Sequence, residues 1–381
     1  MAKTANNEGH YRFLNIIILF ISVFISLIGL ELYLRYFNPQ KLSLNVSQWD
    51  PYVGFTLIPN FEATSITKDY KMRVKINSHG LRDREFSYGK PPNTIRIGIF
   101  GDSFTMGEGV QNEEPYPKVL EKLLKKEKIN DKCNIEVINF GIGKTGISQQ
   151  LAFYQKEGVK YNLDIVLVGL LADFGRNIGG VFILKDGALI HNHTAYSTIR
   201  KIQKIVYWVP FYRWLSENSH LVNFIRQFAT IMDDKIRMSK SRLENIVEKD
   251  KTNVMEKEIE ITSKLIEEFY KEVRESKAFF FLINLPMKGQ RDIQSYTENQ
   301  DIPTNILEDK AVLDCMRGKD IPYVDLVPYF VNIDQSSYYF KFDGHMNAKG
   351  HEMIANIIKA DIIALINKKI RGNYYSVKEI D

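Results

Sequence analysis

Short apolar segments alternate with longer amphipathic segments through most of this chain, and this alternation limits the fold more than any other feature. Each apolar segment is long enough for one buried strand, and each amphipathic segment is long enough for a helix that covers a sheet. Strands that alternate with helices in this way predict an α/β domain with a parallel sheet covered on both faces. The predicted strands are 94–100, 135–140, 164–169, 278–284 and 322–326, and the predicted helices are 116–126, 148–157, 254–276, 306–317 and 348–369.

The N-terminal segment 13–34 is almost entirely Ile, Leu, Phe and Val, with Glu31 near its end. About 22 helical residues span about 33 Å, close to the thickness of the hydrocarbon core of a bilayer. We therefore predict a single-pass membrane anchor that follows a short cytoplasmic tail (1–12) and places the main domain outside the cytoplasm. A cleaved signal peptide is the alternative, although no small-residue cleavage site follows the segment.

The remaining composition is that of an ordinary globular protein. The 381 residues carry a formal net charge of +5 without a long basic block, which does not favour nucleic-acid binding. Cys133 and Cys315 lie far apart and have no metal-site spacing, so the sequence predicts no zinc site and leaves one disulfide open. We expect no cofactor.

Three further regions are predicted after the anchor. Residues 38–93 read as a strand-rich extension, because polar and apolar residues alternate between turn residues. The α/β domain follows at 94–370. Within it, residues 175–250 interrupt the strand–helix rhythm and contain Trp208 and Trp214, which we interpret as an inserted helical cap.

Two short motifs provide candidate catalytic residues. Ser103 lies in the turn Gly101–Gly107 after the first predicted strand, and Asp343 and His345 precede the last predicted helix. A serine hydroxyl becomes a nucleophile when a base lies within hydrogen-bond reach and a third group orients that base. We expect Ser103 to attack an acyl carbon, His345 to accept its proton and Asp343 to orient the imidazole. His351, on the last predicted helix, is expected at the surface.

These motifs resemble those of the SGNH, or GDSL, hydrolase superfamily. The segment Asn77–Asp83 also resembles an extension found in its membrane-anchored bacterial members, which include esterases and O-acetyltransferases of cell-surface polysaccharides. The resemblance implies a flavodoxin-like three-layer α/β/α fold, a Ser103–His345–Asp343 triad and no metal. Asp343 precedes His345 by two positions, whereas three is usual in the family.

The middle motifs of the family match less well. The glycine whose backbone N–H serves the oxyanion hole aligns with Lys144, with Gly143 beside it. The asparagine that supplies another oxyanion donor aligns with Ala172, and Asn177 is the nearby candidate to replace it. Since loss of one such donor typically costs about 10²–10³ in rate, this departure leaves room for a rewired oxyanion hole or a lost activity.

Two functional hypotheses follow. The first is a membrane-anchored serine esterase or O-acyltransferase acting on acylated cell-surface glycans or another ester. The second is a catalytically degenerate SGNH-fold protein that binds a glycan or a protein partner in an envelope assembly. A basic, aromatic insertion that contacts the membrane is compatible with both.

Overall fold

The predicted alternation of strands and helices is present in the computed structural model, which describes residues 2–40, 42, 46–127, 129, 133–177, 180–192, 211–228, 250–290, 303–331 and 333–378. The strands in chain order are β1 Ser47–Asp50, β2 Gly54–Leu57, β3 Glu62–Ile66, β4 Lys71–Lys75, β5 Thr94–Gly101, β6 Asn134–Gly141, β7 Ile165–Leu171, β8 Phe182–Lys185, β9 Ala188–His191, β10 Phe279–Leu285 and β11 Tyr323–Asp325. The α-helices are α1 Ala2–Phe37, α2 Ser103–Met106, α3 Tyr116–Lys126, α4 Ile147–Lys156, α5 Tyr212–Asn218, α6 Asp250–Glu275, α7 Thr304–Gly318, α8 Val327–Val331 and α9 Ala348–Lys378.

Two compact units make up the chain. One contains residues 1–45, 65–68 and 204–246, and the other contains 46–64, 69–203 and 247–381. The larger unit holds the parallel sheet, whose strand order is β11-β10-β7-β5-β6. When its five strands are counted along the chain, this order is 2-1-3-4-5, which is the flavodoxin-like order. The predicted fold class is confirmed.

Both faces of this sheet are covered by helices. Ile95, Ile97 and Ile99 alternate along β5 and share one apolar core with residues of α3 and α9. On the opposite face, the Phe100 ring stacks on Phe140 at 4.4 Å between centroids and meets Phe269 of α6 edge-on. Burial of each large apolar side chain contributes about 1.5–3 kcal/mol, so the three layers are stabilised mainly by this alternation.

The described part of the predicted helical insertion is helical only in part, at α5 and at residues 220–228. Residues 182–191 form the antiparallel hairpin β8–β9, not a helix. Asp186 and Gly187 form its turn with φ angles of +52° and +76°, and Asp-Gly is a favoured pair for such a two-residue turn. Trp208 lies outside the described residues.

The smaller unit contains α1, α5 and helical residues 220–228. Within α1, the stretch Tyr11–Phe37 is 27 residues long and is apolar enough to cross a membrane, a test that a signal sequence also passes.

The two cysteines are both free. Cys133 and Cys315 are partly exposed and form no disulfide. The bond that the sequence left open is therefore absent.

Candidate active site

Ser103 lies at the carboxyl end of β5, beside the point where the strand order reverses. Open α/β sheets bind their ligands at such a crevice. The Asp102 carboxylate accepts a hydrogen bond from the Phe104 N–H at 2.9 Å, and the Gly107 N–H donates to the Ser103 carbonyl at 2.9 Å. A Cβ atom at Gly101 would lie 1.9 Å from Thr105 Oγ1, so this position requires glycine for α2 to pack against the strand end.

The candidate base and acid meet Ser103 from the other end of the chain. His345 Nε2 lies 2.8 Å from Ser103 Oγ, and His345 Nδ1 is hydrogen-bonded to the Asp343 carboxylate. The Asn347 side chain caps the following helix α9 by accepting the Lys349 and Gly350 N–H groups at 2.9 and 3.2 Å. The structure therefore brings together the nucleophile, base and orienting acid that the sequence suggested.

The extension contributes two residues that hold the acid in place. Asp69 Oδ2 accepts the backbone N–H groups of Phe342 and Asp343 at 2.8 and 2.7 Å. The Tyr70 hydroxyl shares its one O–H between two carboxylate oxygens, Glu108 Oε1 at 2.9 Å and Asp343 Oδ2 at 3.3 Å. Burial and the charges of Glu108 and Asp343 raise the pKa of Tyr70, so its hydroxyl remains a donor.

A second part of the extension braces the nucleophile turn. The buried Arg82 guanidinium donates to the carbonyl groups of Met106 at 3.1 Å, of Gly107, and of Val110 at 2.5 Å. Burial lowers the pKa of Arg82 to about 10. One side chain thus bonds three carbonyl groups close to Ser103, and loss of a buried hydrogen bond costs about 1–3 kcal/mol when it leaves its partner unpaired.

The loop after β6 lies on the other side of Ser103. A Cβ atom at Gly143 would lie 3.8 Å from Ser103 Cβ, which places this backbone beside the nucleophile. Lys144 has a φ of +67°, in the left-handed region that favours glycine. The position where the resemblance expects glycine thus keeps a glycine-like backbone although it carries a lysine. Gly143 and Lys144 remain predicted oxyanion donors.

The two remaining candidate positions supply no evident side-chain donor. Ala172 is buried and has no polar side-chain atom. The buried Asn177 amide accepts the Ser148 N–H at 3.2 Å and donates to Thr262 Oγ1 at 2.9 Å. These bonds anchor the start of α4, so the amide is already engaged. The role of Asn177 as an oxyanion donor stays a prediction.

Arg176 is a charged residue of this region that sequence reasoning missed. Its guanidinium pairs with Asp102 Oδ2 at 3.2 Å and with Asp173 Oδ2 at 2.6 Å. Burial raises the pKa of Asp102, whereas the Phe104 N–H and the Arg176 charge oppose that rise. Asp102, Asp173 and Arg176 line the same small cavity as Asn177.

His351 is buried and not exposed as predicted. Its Nδ1 accepts the Tyr116 N–H at 3.3 Å, and its ring stacks on Tyr116. Burial, followed by the nearby charges of Arg82 and His345, lowers the pKa of His351 to about 3. It lies on the inner face of α9 because α9 packs on α3, which carries Tyr116.

The arrangement of the described residues is chemically suited to acyl transfer. Within the described residues, no group of three or more His, Cys, Asp and Glu side chains could hold a metal ion. The hydroxyl, imidazole and carboxylate in series form the arrangement that activates a serine toward an ester carbonyl.

Comparisons with known proteins find similar solved structures only. No family model matches the chain, and no curated protein matches it. A lipase/acylhydrolase from Enterococcus faecalis is 14% identical with a TM-score of 0.40, covering 71% of this chain and 96% of that chain. The acetyl xylan esterase AlAXEase is 13% identical with a TM-score of 0.39, covering 70% of this chain and 100% of that chain. A two-domain esterase active on acetylated mannans is 14% identical with a TM-score of 0.37, covering 72% of this chain and 50% of that chain. These neighbours are esterases and acylhydrolases, but TM-scores below 0.5 give the likeness no weight in assigning an activity.

Proposed function

We propose that this protein is a membrane-anchored serine esterase or O-acyltransferase that acts on acylated cell-surface glycans. The observation that carries the proposal is the 2.8 Å distance between Ser103 Oγ and His345 Nε2, with Asp343 bonded to the other imidazole nitrogen. The apolar stretch of α1 supports a single-pass anchor, and the location of the main domain outside the cytoplasm is part of the proposal. The glycan substrate follows from the sequence resemblance to membrane-anchored members of the SGNH superfamily.

The proposed reaction has two steps. Ser103 Oγ attacks the ester carbonyl while its proton moves to His345 Nε2, and backbone N–H groups at Ser103, Gly143 and Lys144 bind the oxyanion. The carbon–oxygen bond to the leaving sugar breaks, and His345 returns the proton to the departing oxygen. Water or a second sugar hydroxyl then gives its proton to His345 and attacks the acyl carbon. The bond from that carbon to Ser103 Oγ breaks, and His345 returns the proton to Ser103 Oγ.

Acetate release tests this proposal. The full-length protein in detergent is incubated with acetylated xylan or p-nitrophenyl acetate, with and without a xylo-oligosaccharide acceptor. We expect acetate release or acceptor acetylation that Ser103→Ala abolishes, and the ratio of the two products separates esterase from transferase. Equal rates for the wild type and the variant would contradict the proposal.

One observation favours a second candidate, a binding protein of the same fold. Ala172 offers no side-chain donor, and the Asn177 amide is bonded to Ser148 and Thr262. If acetylated xylan binds equally to the wild type and to Ser103→Ala while no acetate is released, the binding function replaces the enzymatic one.

A further inference from the structure

Residues 211–228 pack against the end of α1 within the smaller unit. The segment consists of α5, a break at Ser219 and helical residues 220–228. Arg35 of α1 donates to the Asn218 carbonyl at 2.8 Å, and the Gln40 N–H donates to His220 Nδ1 at 2.9 Å. The segment is therefore attached at the C-terminal end of the apolar helix.

Glu31 of α1 forms the centre of this attachment. Its carboxylate accepts the Leu221 N–H at 2.8 Å, the His220 N–H at 3.1 Å and the Ser219 hydroxyl at 2.8 Å. The first N–H groups of a helix have no partner within that helix, and leaving them unpaired is especially costly away from water. Glu31 thus gives the helix at 220–228 its N-terminal acceptor, which also explains a carboxylate on an otherwise apolar helix.

Two polar residues of the segment are buried, whereas five of its large apolar side chains are exposed. Ser216 and Asn223 are buried, and the Asn223 amide donates to the Ser216 and Ser219 carbonyl groups at 2.7 and 2.8 Å. The exposed large apolar side chains are Phe211, Trp214, Phe224, Ile225 and Phe228, of which Phe211 is 78% exposed and Trp214 60%. This arrangement is the reverse of that of a helix packed on a water-soluble core, and it is the one that suits contact with lipid.

The adjoining end of α1 carries aromatic residues suited to the same environment. Tyr33, Tyr36 and Phe37 are exposed there. The 27-residue apolar stretch measures about 40 Å, whereas the hydrocarbon core is about 30 Å thick, so its end extends into the interface. In membrane proteins, Tyr and Trp are enriched at the membrane–water interface.

We propose that residues 211–228 are an interfacial membrane element, which lies in the headgroup–acyl boundary of the bilayer beside the end of α1 and is held there by Glu31. The occupant of its apolar face is lipid of the leaflet at which α1 ends. The inference rests on α1 spanning the bilayer and does not depend on the chemistry of Ser103.

Depth-dependent quenching of single tryptophans tests this placement. The full-length protein is reconstituted in phosphatidylcholine vesicles whose acyl chains carry bromine near the glycerol end. Three variants with a single tryptophan each are compared. The first keeps only Trp214, and the second keeps only Trp49, which lies outside the smaller unit and is the first control. The third carries Tyr33→Trp in a tryptophan-free background and is the control for α1. We expect brominated lipid to reduce the Trp214 and Tyr33→Trp emission about twofold and to leave Trp49 unchanged.

Two outcomes overturn the inference and differ from each other. Quenching of Tyr33→Trp without quenching of Trp214 would show that α1 is inserted and the 211–228 segment is not. Shielding of Trp214 from aqueous iodide in that case would indicate a protein occupant. No quenching of either residue would refute the membrane span itself. The proposed enzymatic activity would still be tested separately, by the release of acetate.

The role of Glu31 is tested in the same vesicles. Glu31→Leu removes the acceptor of the 220–228 helix and should abolish most of the Trp214 quenching while leaving the chain in the membrane after alkaline carbonate extraction. Asn15→Leu removes a polar residue from the other end of the apolar stretch and should leave the quenching unchanged. Unchanged quenching in Glu31→Leu would contradict the anchoring role.

Discussion

The two sides of Ser103 differ in the side chains that they offer for catalysis. On one side, His345 and Asp343 form a continuous hydrogen-bonded series, and Asp69 and Tyr70 hold the acid. On the other side, the predicted donors are backbone N–H groups of the 143–144 loop, since Ala172 has no polar side chain and the Asn177 amide bonds Ser148 and Thr262. The proposed activation of Ser103 and the proposed stabilisation of the developing charge thus depend on separate parts of the chain.

This difference has a kinetic meaning. In the proposed mechanism, the base and acid determine how readily Ser103 is acylated, while the oxyanion donors set how far the transition state is stabilised in both steps. A missing donor costs about 10²–10³ in rate. The site should therefore react with strong acylating agents at a rate typical of activated serines and turn over natural esters slowly.

The largest expected effect is on the rate of hydrolysis, and it comes from the side of Ser103 that contains His345 and Asp343. Asp343→Asn removes the charge that orients and stabilises the imidazolium, and should lower the rate of p-nitrophenyl acetate hydrolysis about 10³- to 10⁴-fold. Asp334→Asn, an exposed carboxylate that caps a surface turn, is the matched control and should retain the wild-type rate. A fall of less than tenfold in Asp343→Asn would show that the acid is not part of the reacting series.

The next largest effect is expected at Asn177, on the side of Ser103 where the oxyanion donors are predicted. Asn177→Ala removes two buried hydrogen bonds and should lower the free energy of unfolding by about 2–3 kcal/mol, with kcat of the folded protein changed less than tenfold. Denaturant unfolding in detergent and steady-state hydrolysis measure the two quantities. Asn356→Ala, an exposed asparagine on α9, should change the stability by less than about 0.5 kcal/mol. A fall in kcat of about 10²–10³ would instead make Asn177 an oxyanion donor.

A pH effect on stability distinguishes His351, which lies on α9, from the candidate base His345, which precedes that helix. The pKa of His351 is about 3 in the folded protein and about 6.5 when unfolded, so the unfolded state binds the proton first as the pH falls. The contribution of His351 is present above pH 6.5 and is lost progressively toward pH 3. Between pH 7.5 and 4.5, His351→Asn should therefore lose about 2.7 kcal/mol less stability than the wild type. Identical pH dependence of the two melting curves would contradict the burial of a neutral imidazole.

The smallest expected effect tests the support of the acid by the extension. Tyr70→Phe removes one hydrogen bond to the Asp343 carboxylate and should slow hydrolysis about five- to tenfold, since such a bond contributes about 1 kcal/mol. Tyr88→Phe is the control, because its hydroxyl donates to Glu157 at 2.8 Å away from the triad. Equal rates for the two variants would make Tyr70 a packing residue only.

Much of the larger unit could be predicted from the sequence. The strand and helix positions followed from hydrophobic periodicity, and α3 was predicted at 116–126, where it is observed. Ser103 and His345 were accessible because each lies beside an element boundary that the sequence marks, the end of β5 and the start of α9. Residues beside the end of a strand or the start of a helix can therefore be located from the local sequence.

Other features depend on contacts that no local pattern encodes. Asp69 and Tyr70 lie in the extension, more than 270 positions from Asp343. In the sequence, nothing distinguishes them from ordinary loop residues. The burial of His351 depends on which face of α9 meets α3. The β8–β9 hairpin, by contrast, did have a local signal in Asp186-Gly187, which the abundance of aromatic and basic residues around it obscured.

The most direct test of the central claim is covalent labelling of Ser103 by a fluorophosphonate probe, located by mass spectrometry of the digested full-length protein. The reagent needs an activated serine and no knowledge of the substrate. The geometry predicts stoichiometric modification of Ser103 in the wild type, none at that peptide in Ser103→Ala, and labelling slowed about 10³-fold in His345→Gln. An unmodified Ser103 in folded wild-type protein, or equal labelling after loss of His345, would contradict the account.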